Sequence, residues 1–158
     1  TTKTKKIIAQ RELSEQVTLP VSQSAAWEVL ADLGGVADWA PYMRKSFLIG
    51  ERTHGIGTSR GMRHAWGFRF VEEVTEWNDG NGYAFDVLRA PFPMKNVQET
   101  WDCSPANHGS IVTTRVTYKM HLGPLGMLLD WLLVRFIVQR EMRAGLRGLK
   151  HHLETRTE

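Results

Sequence analysis

The chain has 158 residues, with 20 basic and 17 acidic side chains, a formal net charge of +3 when the histidines are neutral, and one cysteine, Cys103. This length predicts a domain that buries a core without disulfides or metal. The weak, scattered charge argues against nucleic-acid binding. A lone cysteine cannot form an internal disulfide, so we expect a reducing, cytoplasmic setting.

The ends of the chain and its apolar runs predict one domain over 1–158, in which 1–13 form a loosely held or edge segment. The first residues are polar and lead into no long apolar run, so no signal peptide is expected. The most apolar stretch, residues 125–138, contains Asp130 and Arg135. It is also shorter than the roughly 20 residues that a membrane span needs.

The front of the chain predicts one strand and two short helices. EQVTLPV alternates like a strand and ends at Pro20. Ser22 or Ser24 can cap a helix through AAWEVLADL, and VADWAPY predicts a second helical turn closed by Pro41.

The middle of the chain, from Met43 onward, predicts six strands separated by turn-forming residues. They are RKSFLIGER, GTSRGMRHAW, GFRFVEEVTEW, GYAFDVLR, KNVQETWDC and SIVTTRVTYKM. The NDGNG turn, residues 78–82, predicts an antiparallel hairpin of the third and fourth. A long helix over 122–154 follows, so the fold class is α+β, with this helix lying across one face of an antiparallel sheet.

Several stretches resemble the helix-grip superfamily of START-like, birch-pollen-allergen-like and polyketide cyclase/dehydrase and lipid-transport proteins. They are VTLPVSQSAAWEVLADLGGVADWAPYM, VEEVTEWNDGNGYAFDV, ETWDCSPANHGSIVTTRVTYKM and GLRGLKHHLE. The resemblance implies a strongly curved sheet wrapped around the C-terminal helix, with a ligand cavity between them. It does not select a function, because the superfamily includes lipid and sterol carriers, quinone-binding chaperones, aromatase/cyclases and oxygenase domains.

Strand alternation predicts which side chains face that cavity. Glu72 and Glu99 fall on the apolar faces of their strands, although a bulge would reverse part of the strand that holds Glu72. The other strand and loop residues predicted to bind a ligand are Phe68, Phe70, Tyr83, Phe85, Phe92, Trp101 and Tyr118. Core packing is the alternative for the strand aromatics, and a rigid loop is the alternative for PFPM, residues 91–94, a candidate gate.

The C-terminal helix predicts a further set of cavity residues. At about 100° per residue its sparse second half fixes one buried stripe. That stripe contains Met142, Leu146, Leu149 and Leu153, and extends backward through Leu128, Trp131, Arg135 and Val138. A buried guanidinium needs an anion, so we expect Arg135 to meet Glu99 or Glu72. Arg135 is then either a ligand anchor, alongside Trp131, Val138 and Met142, or a structural ion pair or a side chain that snorkels to water.

The opposite side of the helix's first half predicts an interface, because a contiguous apolar patch usually marks one. Its residues are Leu129, Leu133, Phe136 and Ile137. A homodimer through this helix is the favoured interpretation. A protein partner, a transient membrane contact, and coverage by the N-terminal segment or the PFPM loop are the alternatives.

Chemistry-bearing motifs are scarce, so we expect neither metal nor cofactor and no catalytic set. The leading hypothesis is a carrier or sensor of a small hydrophobic ligand: lipid-like, quinone or aromatic. The first alternative is a cofactor-free polyketide cyclase or dehydratase in which Arg135 steadies an enolate and Glu99 or Tyr118 moves protons. The second is a module that docks on a protein or a membrane through the apolar helix face.

Overall fold

A computed structural model of the chain describes residues 10–156, which form one seven-stranded antiparallel sheet, three α-helices and two short irregular helices. The strands are β1 (Arg11–Leu19), β2 (Met43–Ile49), β3 (Ser59–His64), β4 (Arg69–Asn78), β5 (Gly82–Arg89), β6 (Met94–Ala106) and β7 (Gly109–Met120). The helices are α1 (Gln23–Ala31), a 3₁₀ helix (Leu33–Asp38), α2 (Gly123–Leu129), a π-helical segment (Asp130–Val134) and α3 (Arg135–Arg156).

The sheet order is β1-β7-β6-β5-β4-β3-β2, and every neighbouring pair is antiparallel. Bulges interrupt the pairing of β2 with β3, of β4 with β5 and of β6 with β7. Each bulge bends a strand and increases its twist, so the sheet curves around α3. The predicted α+β helix-grip fold is confirmed.

The predicted elements after the first strand are confirmed as α1 and the 3₁₀ helix. Ser22 is the N-cap of α1, because its Oγ accepts the backbone N–H of Ala25 at 3.2 Å. At the N-terminus, residues 1–9 of the segment predicted to be loosely held lie outside the described residues. Residues 11–13 belong to β1, an edge strand that pairs with β7.

The predicted buried stripe of α3 is confirmed, since Met142, Leu146, Leu149 and Leu153 are all buried. Two glycines on this helix allow close approach to the segment after the 3₁₀ helix. A Cβ on Gly148 would lie 1.9 Å from the carbonyl oxygen of Trp39, and one on Gly145 would lie 2.7 Å from the Tyr42 hydroxyl. These contacts hold Trp39 and Tyr42 between the helix and the sheet.

The π-helical segment holds Asp130 in a buried position. Its carboxylate accepts hydrogen bonds from the Tyr118 hydroxyl and from Arg11, whose Nη2 lies 2.7 Å from Oδ2. A π-helical turn holds more residues than an α-helical turn, so the constant rotation assumed for the whole helix fails here.

The helices among the described residues include none that is long and apolar enough to cross a membrane.

Candidate functional site

A cavity of about 340 Å³ lies between the curved sheet and the first half of α3. Most of its lining is apolar, and its charged lining residues are Arg60, Glu72, Glu99 and Glu141. The predicted cavity between sheet and helix is therefore present. Ligand sites commonly combine an apolar lining with a few placed polar groups.

Eight of the residues predicted to bind a ligand line this cavity. They are Phe68, Phe70, Glu72, Phe92, Glu99, Trp101, Val138 and Met142. Strand parity located the sheet residues among them, because inward and outward side chains alternate whatever the surrounding fold. Their contact with a ligand stays a prediction.

Five predicted ligand residues do not line the cavity: Tyr83, Phe85, Tyr118, Trp131 and Arg135. Tyr83 and Phe85 face inward but are covered by Arg60, whose guanidinium carbon lies 4.5 Å from the centroid of the Phe85 ring. The buried Tyr118 turns its hydroxyl to Asp130. Trp131 lies in the π-helical segment and is 55% exposed.

The predicted ion pair of Arg135 with Glu99 or Glu72 is wrong. Arg135 instead donates from Nε to the Trp131 carbonyl oxygen at 3.0 Å and stacks over the rings of Trp131 and Phe136. Gln139 and Arg143, the next residues at intervals of four, both donate to Glu15 of β1. This row of the helix follows the edge strand, so Arg135 lies away from the buried acids, with its guanidinium over aromatic rings.

The predicted interface residues divide between two surfaces. Leu129, Leu133 and Ile137 line the cavity, so their assignment to the side facing away from the sheet is wrong. Phe136 does not line it and is 53% exposed. From the end of the π-helical segment through the first half of α3, the cavity is lined by Val134, Ile137, Val138, Glu141 and Met142. It therefore faces the buried stripe and also the side about a quarter turn away from it.

The charged floor of the cavity is built on an ion pair between neighbouring strands. Arg60 of β3 is paired in register with Glu72 of β4, and its Nε donates to Glu72 Oε2 at 2.6 Å. Its Nη1 reaches the Leu33 carbonyl oxygen at 3.5 Å. Both charged side chains are buried, so each depends on the other for compensation.

Glu99 of β6 is the acid of this cluster that is bonded to a neutral donor instead of a cation. Its Oε1 accepts the indole N–H of Trp101 at 2.6 Å. Burial, together with the negative charge of Glu72, raises the pKa of Glu99 from 4.5 to about 7, although Arg60 opposes the shift. A carboxyl group with this pKa can hold or release a proton near neutral pH.

A second polar pair, His64 of β3 and Glu141 of α3, lines the same cavity. His64 Nδ1 accepts the backbone N–H of Trp66 at 3.0 Å, so the proton of the neutral ring is assigned to Nε2. Nε2 lies 2.5 Å from Glu141 Oε1 and donates to it. This bond connects the sheet to the helix across the cavity.

Six of the polar and aromatic lining residues were not found from the sequence: Trp39, Tyr42, Arg60, His64, Trp66 and Glu141. For Arg60 and His64 a signal existed, because 60, 62 and 64 share one face of the strand GTSRGMRHAW. Trp39 and Glu141 had none, since their positions depend on how α3 packs.

Metal ligands do not converge anywhere in residues 10–156, where no three His, Cys, Asp or Glu side chains lie close enough to share an ion. That the protein works without a cofactor stays a prediction.

Several solved structures are similar to this chain along most of its length. The Zhui aromatase/cyclase of Streptomyces sp. R1128 superposes with a TM-score of 0.82 at 17% identity, covering 95% of this chain and 97% of that one. A Thermus thermophilus protein has a TM-score of 0.78 at 22% identity, covering 94% and 100%. Norcoclaurine synthase of Thalictrum flavum has a TM-score of 0.74 at 14% identity, covering 95% and 98%. These likenesses establish the fold.

Comparison of the sequence with protein families identifies the family of this chain. Among curated proteins none matches this chain. Residues 10–154 match the family described as polyketide cyclase / dehydrase and lipid transport. The match spans most of the sequence and nearly all the elements that surround the cavity. The chain therefore belongs to the polyketide cyclase / dehydrase and lipid-transport family.

Proposed function

We propose that the protein binds a small, largely apolar molecule in the cavity between sheet and α3, with a polar end directed at Glu99. The observation that carries this proposal is the contrast within the lining. Aromatic and aliphatic side chains surround most of the space, and the buried charges of Arg60, Glu72 and Glu99 lie together on its floor. Such a lining favours a lipid-like, quinone or aromatic guest.

The protonated form of Glu99 supports a particular polar end. Below a pH of about 7 its carboxyl group carries a proton that it can donate to a carbonyl or hydroxyl oxygen. Above that pH the ionised group accepts hydrogen bonds and repels an anion. A neutral oxygen-bearing ligand therefore fits this floor better than a carboxylate does.

Native mass spectrometry of the purified protein, with extraction of whatever copurifies, tests this proposal. We expect an apolar molecule, or saturable binding of naphthol as a probe when the cavity is empty. Glu99→Gln and Trp101→Leu should weaken naphthol binding, while Arg147→Gln on the exposed part of α3 should not. Naphthol binding that is equal in all four proteins would contradict the proposed site.

A second candidate function is a cofactor-free cyclase or dehydratase, favoured by the raised pKa of Glu99 beside the cavity. Ring closure of a polyketide requires removal of a proton from carbon and delivery of a proton to oxygen. Glu99 could exchange protons with the substrate. Neither Arg135 nor Tyr118 lines the cavity, so this version omits the roles predicted for them.

Proton exchange distinguishes an enzyme from a carrier. A naphthyl β-diketone in deuterated water should exchange its acidic carbon-bound protons faster with the wild type than with Glu99→Gln, as followed by NMR. Loss of exchange with retained binding would support the enzyme. Equal exchange rates in both proteins would contradict the enzyme and support a protein that only binds its ligand.

The homodimer through the C-terminal helix and the cytoplasmic location stay predictions of the sequence. Light scattering and fractionation of cells that produce the chain would test them.

A further inference from the structure

Most of the exposed large apolar side chains among residues 10–156 lie in the segments around the opening of the cavity. Three segments surround it: 63–69 between β3 and β4, 89–95 between β5 and β6, and 119–136 from the end of β7 through the π-helical segment. We call them the rim. Within the described part of the chain, eleven of the fifteen exposed large apolar side chains lie in the rim, and the other four are Phe47, Ile49, Ile56 and Leu88.

Two of the rim segments are in direct contact, and the third lines the same cavity. Phe92 stacks on His121 at 5.7 Å, and the His121 N–H donates to the Pro93 carbonyl oxygen at 2.8 Å. Trp66, Phe92 and Leu133 line the cavity and are also 50–70% exposed. The rim therefore joins the cavity to the surface through apolar side chains.

Apart from one buried acid, the charged residues of the rim are basic. Its basic residues are Arg63, Arg69, Arg89, Lys95, Lys119 and Arg135. Its one acid, Asp130, is buried and paired with Arg11. Lys3, Lys5 and Lys6 also precede the described part of the chain, and the first nine residues contain no acid.

We propose that the rim docks on a membrane surface rich in anionic phospholipid. Exposed Trp, Phe and Leu side chains enter the interface between headgroups and acyl chains, while the basic residues around them meet the phosphates. The stacking of Arg135 on Trp131 and Phe136 places a cation beside two such rings. A contiguous apolar patch of this size usually marks an interaction surface.

A second copy of the chain fits this surface less well. Two rims placed face to face would bring their basic residues together, and like charges across an interface oppose association. An anionic bilayer complements both the apolar and the basic side chains. Docking does not depend on the proposed cavity ligand, although delivery of that ligand through the rim rests on the proposed function.

Vesicle flotation tests the docking. We expect the full chain to float with vesicles of equal parts phosphatidylcholine and phosphatidylglycerol, to leave them as salt is raised, and to float weakly with phosphatidylcholine alone. A chain that stays unbound in the presence of the anionic vesicles at low salt overturns the proposal.

Rim variants test the surface without altering the cavity lining. Leu125→Ser with Leu132→Ser removes two exposed rim side chains that do not line the cavity, and should weaken flotation roughly tenfold or more. Ile56→Ser, at a residue 61% exposed outside the rim, is the matched control. Equal flotation of the double variant and the wild type contradicts the proposal.

Charge variants keep the test valid if the serine variant folds poorly. Arg69→Gln with Arg89→Gln should weaken flotation by about fivefold for each charge removed, which corresponds to ~1 kcal/mol per basic residue near an anionic surface. Arg147→Gln, on the exposed part of α3, is the control. Flotation that does not respond to the rim charges overturns the electrostatic part of the proposal.

Two outcomes would assign the rim to another occupant and overturn membrane docking. One is a dimer in light scattering that Leu125→Ser with Leu132→Ser converts to a monomer, without flotation of the wild type. The other is flotation that begins only after residues 1–9 are removed. Naphthol binding by the rim variants and flotation of Glu99→Gln distinguish failure of the docking from failure of the cavity site.

Discussion

Glu99 and Glu72 are two buried acids that share one buried cation, and their different bonds divide the charge between them. Glu72 accepts from Arg60 directly, whereas Glu99 accepts from the neutral indole of Trp101. Burial raises the pKa of both acids, and the positive charge of Arg60 opposes the shift in each. The cavity floor thus gains a group that titrates near neutrality.

Glu99→Gln should change how stability depends on pH. The folded-state pKa of about 7 exceeds the ordinary value of 4.5, so the wild type gains stability from this group at low pH and loses it as pH rises through 7. The loss relative to the glutamine variant should reach up to about 3 kcal/mol. Urea unfolding across this range measures it, and parallel pH profiles of the two proteins would contradict the assignment.

Arg60→Met should destabilise the protein by about 3 kcal/mol or more, because it leaves Glu72 buried without its partner. Glu72→Met added to that variant should recover much of the loss if the pair is structural alone. Denaturant unfolding of the two single variants and the double variant gives the coupling free energy. Additive single effects would mean that the ion pair contributes little.

At the scale of elements, strand faces were predictable and helix faces were predictable only in part. Parity placed Glu72, Glu99 and Trp101 correctly, because alternation along a strand needs no knowledge of its neighbours. It could not reveal that Arg60 is the partner of Glu72, since that depends on the register of β3 against β4.

The helix shows the limit of a local pattern. Its four apolar residues from Met142 to Leu153 gave the correct buried direction for the second half. The same buried direction placed Arg135 and Leu133 wrongly. The first half of the helix adjoins the cavity on one side and the edge strand β1 on another. The π-helical segment also changes the angle between successive side chains around the helix, and no residue pattern predicted it.

Gly148→Ala should destabilise the protein by roughly 2 kcal/mol or more, although alanine favours helix formation. The added Cβ would lie 1.9 Å from the Trp39 carbonyl oxygen, which is backbone and cannot turn away. Gly145→Ala is the matched comparison and should cost less, because it meets the Tyr42 hydroxyl at 2.7 Å, the end of a side chain. Thermal unfolding compares the two, and equal losses would contradict this account of the packing.

At the scale of the whole molecule, the cavity is a space that a core would normally fill. Protein interiors are close-packed, and unfilled apolar volume forfeits contacts between side chains. A space of about 340 Å³ beside α3 therefore reduces the stability of the unliganded fold. A ligand that binds only the folded state restores part of that stability by mass action.

Val138→Phe should separate stability from binding. Val138 is a half-buried residue of α3 that packs against the cluster around Tyr118 and also lines the cavity, so a larger ring can extend into the empty space. We expect thermal stability without ligand to be unchanged or raised, and naphthol binding to be lost, because the ring occupies the volume that the guest needs. Met142→Phe, at a buried cavity residue that also packs against the core around Tyr118, should instead lose stability through overpacking. If Val138→Phe binds naphthol as the wild type does, the ligand lies elsewhere. If Val138→Phe loses as much stability as Met142→Phe, the space beside Val138 is not free to be filled.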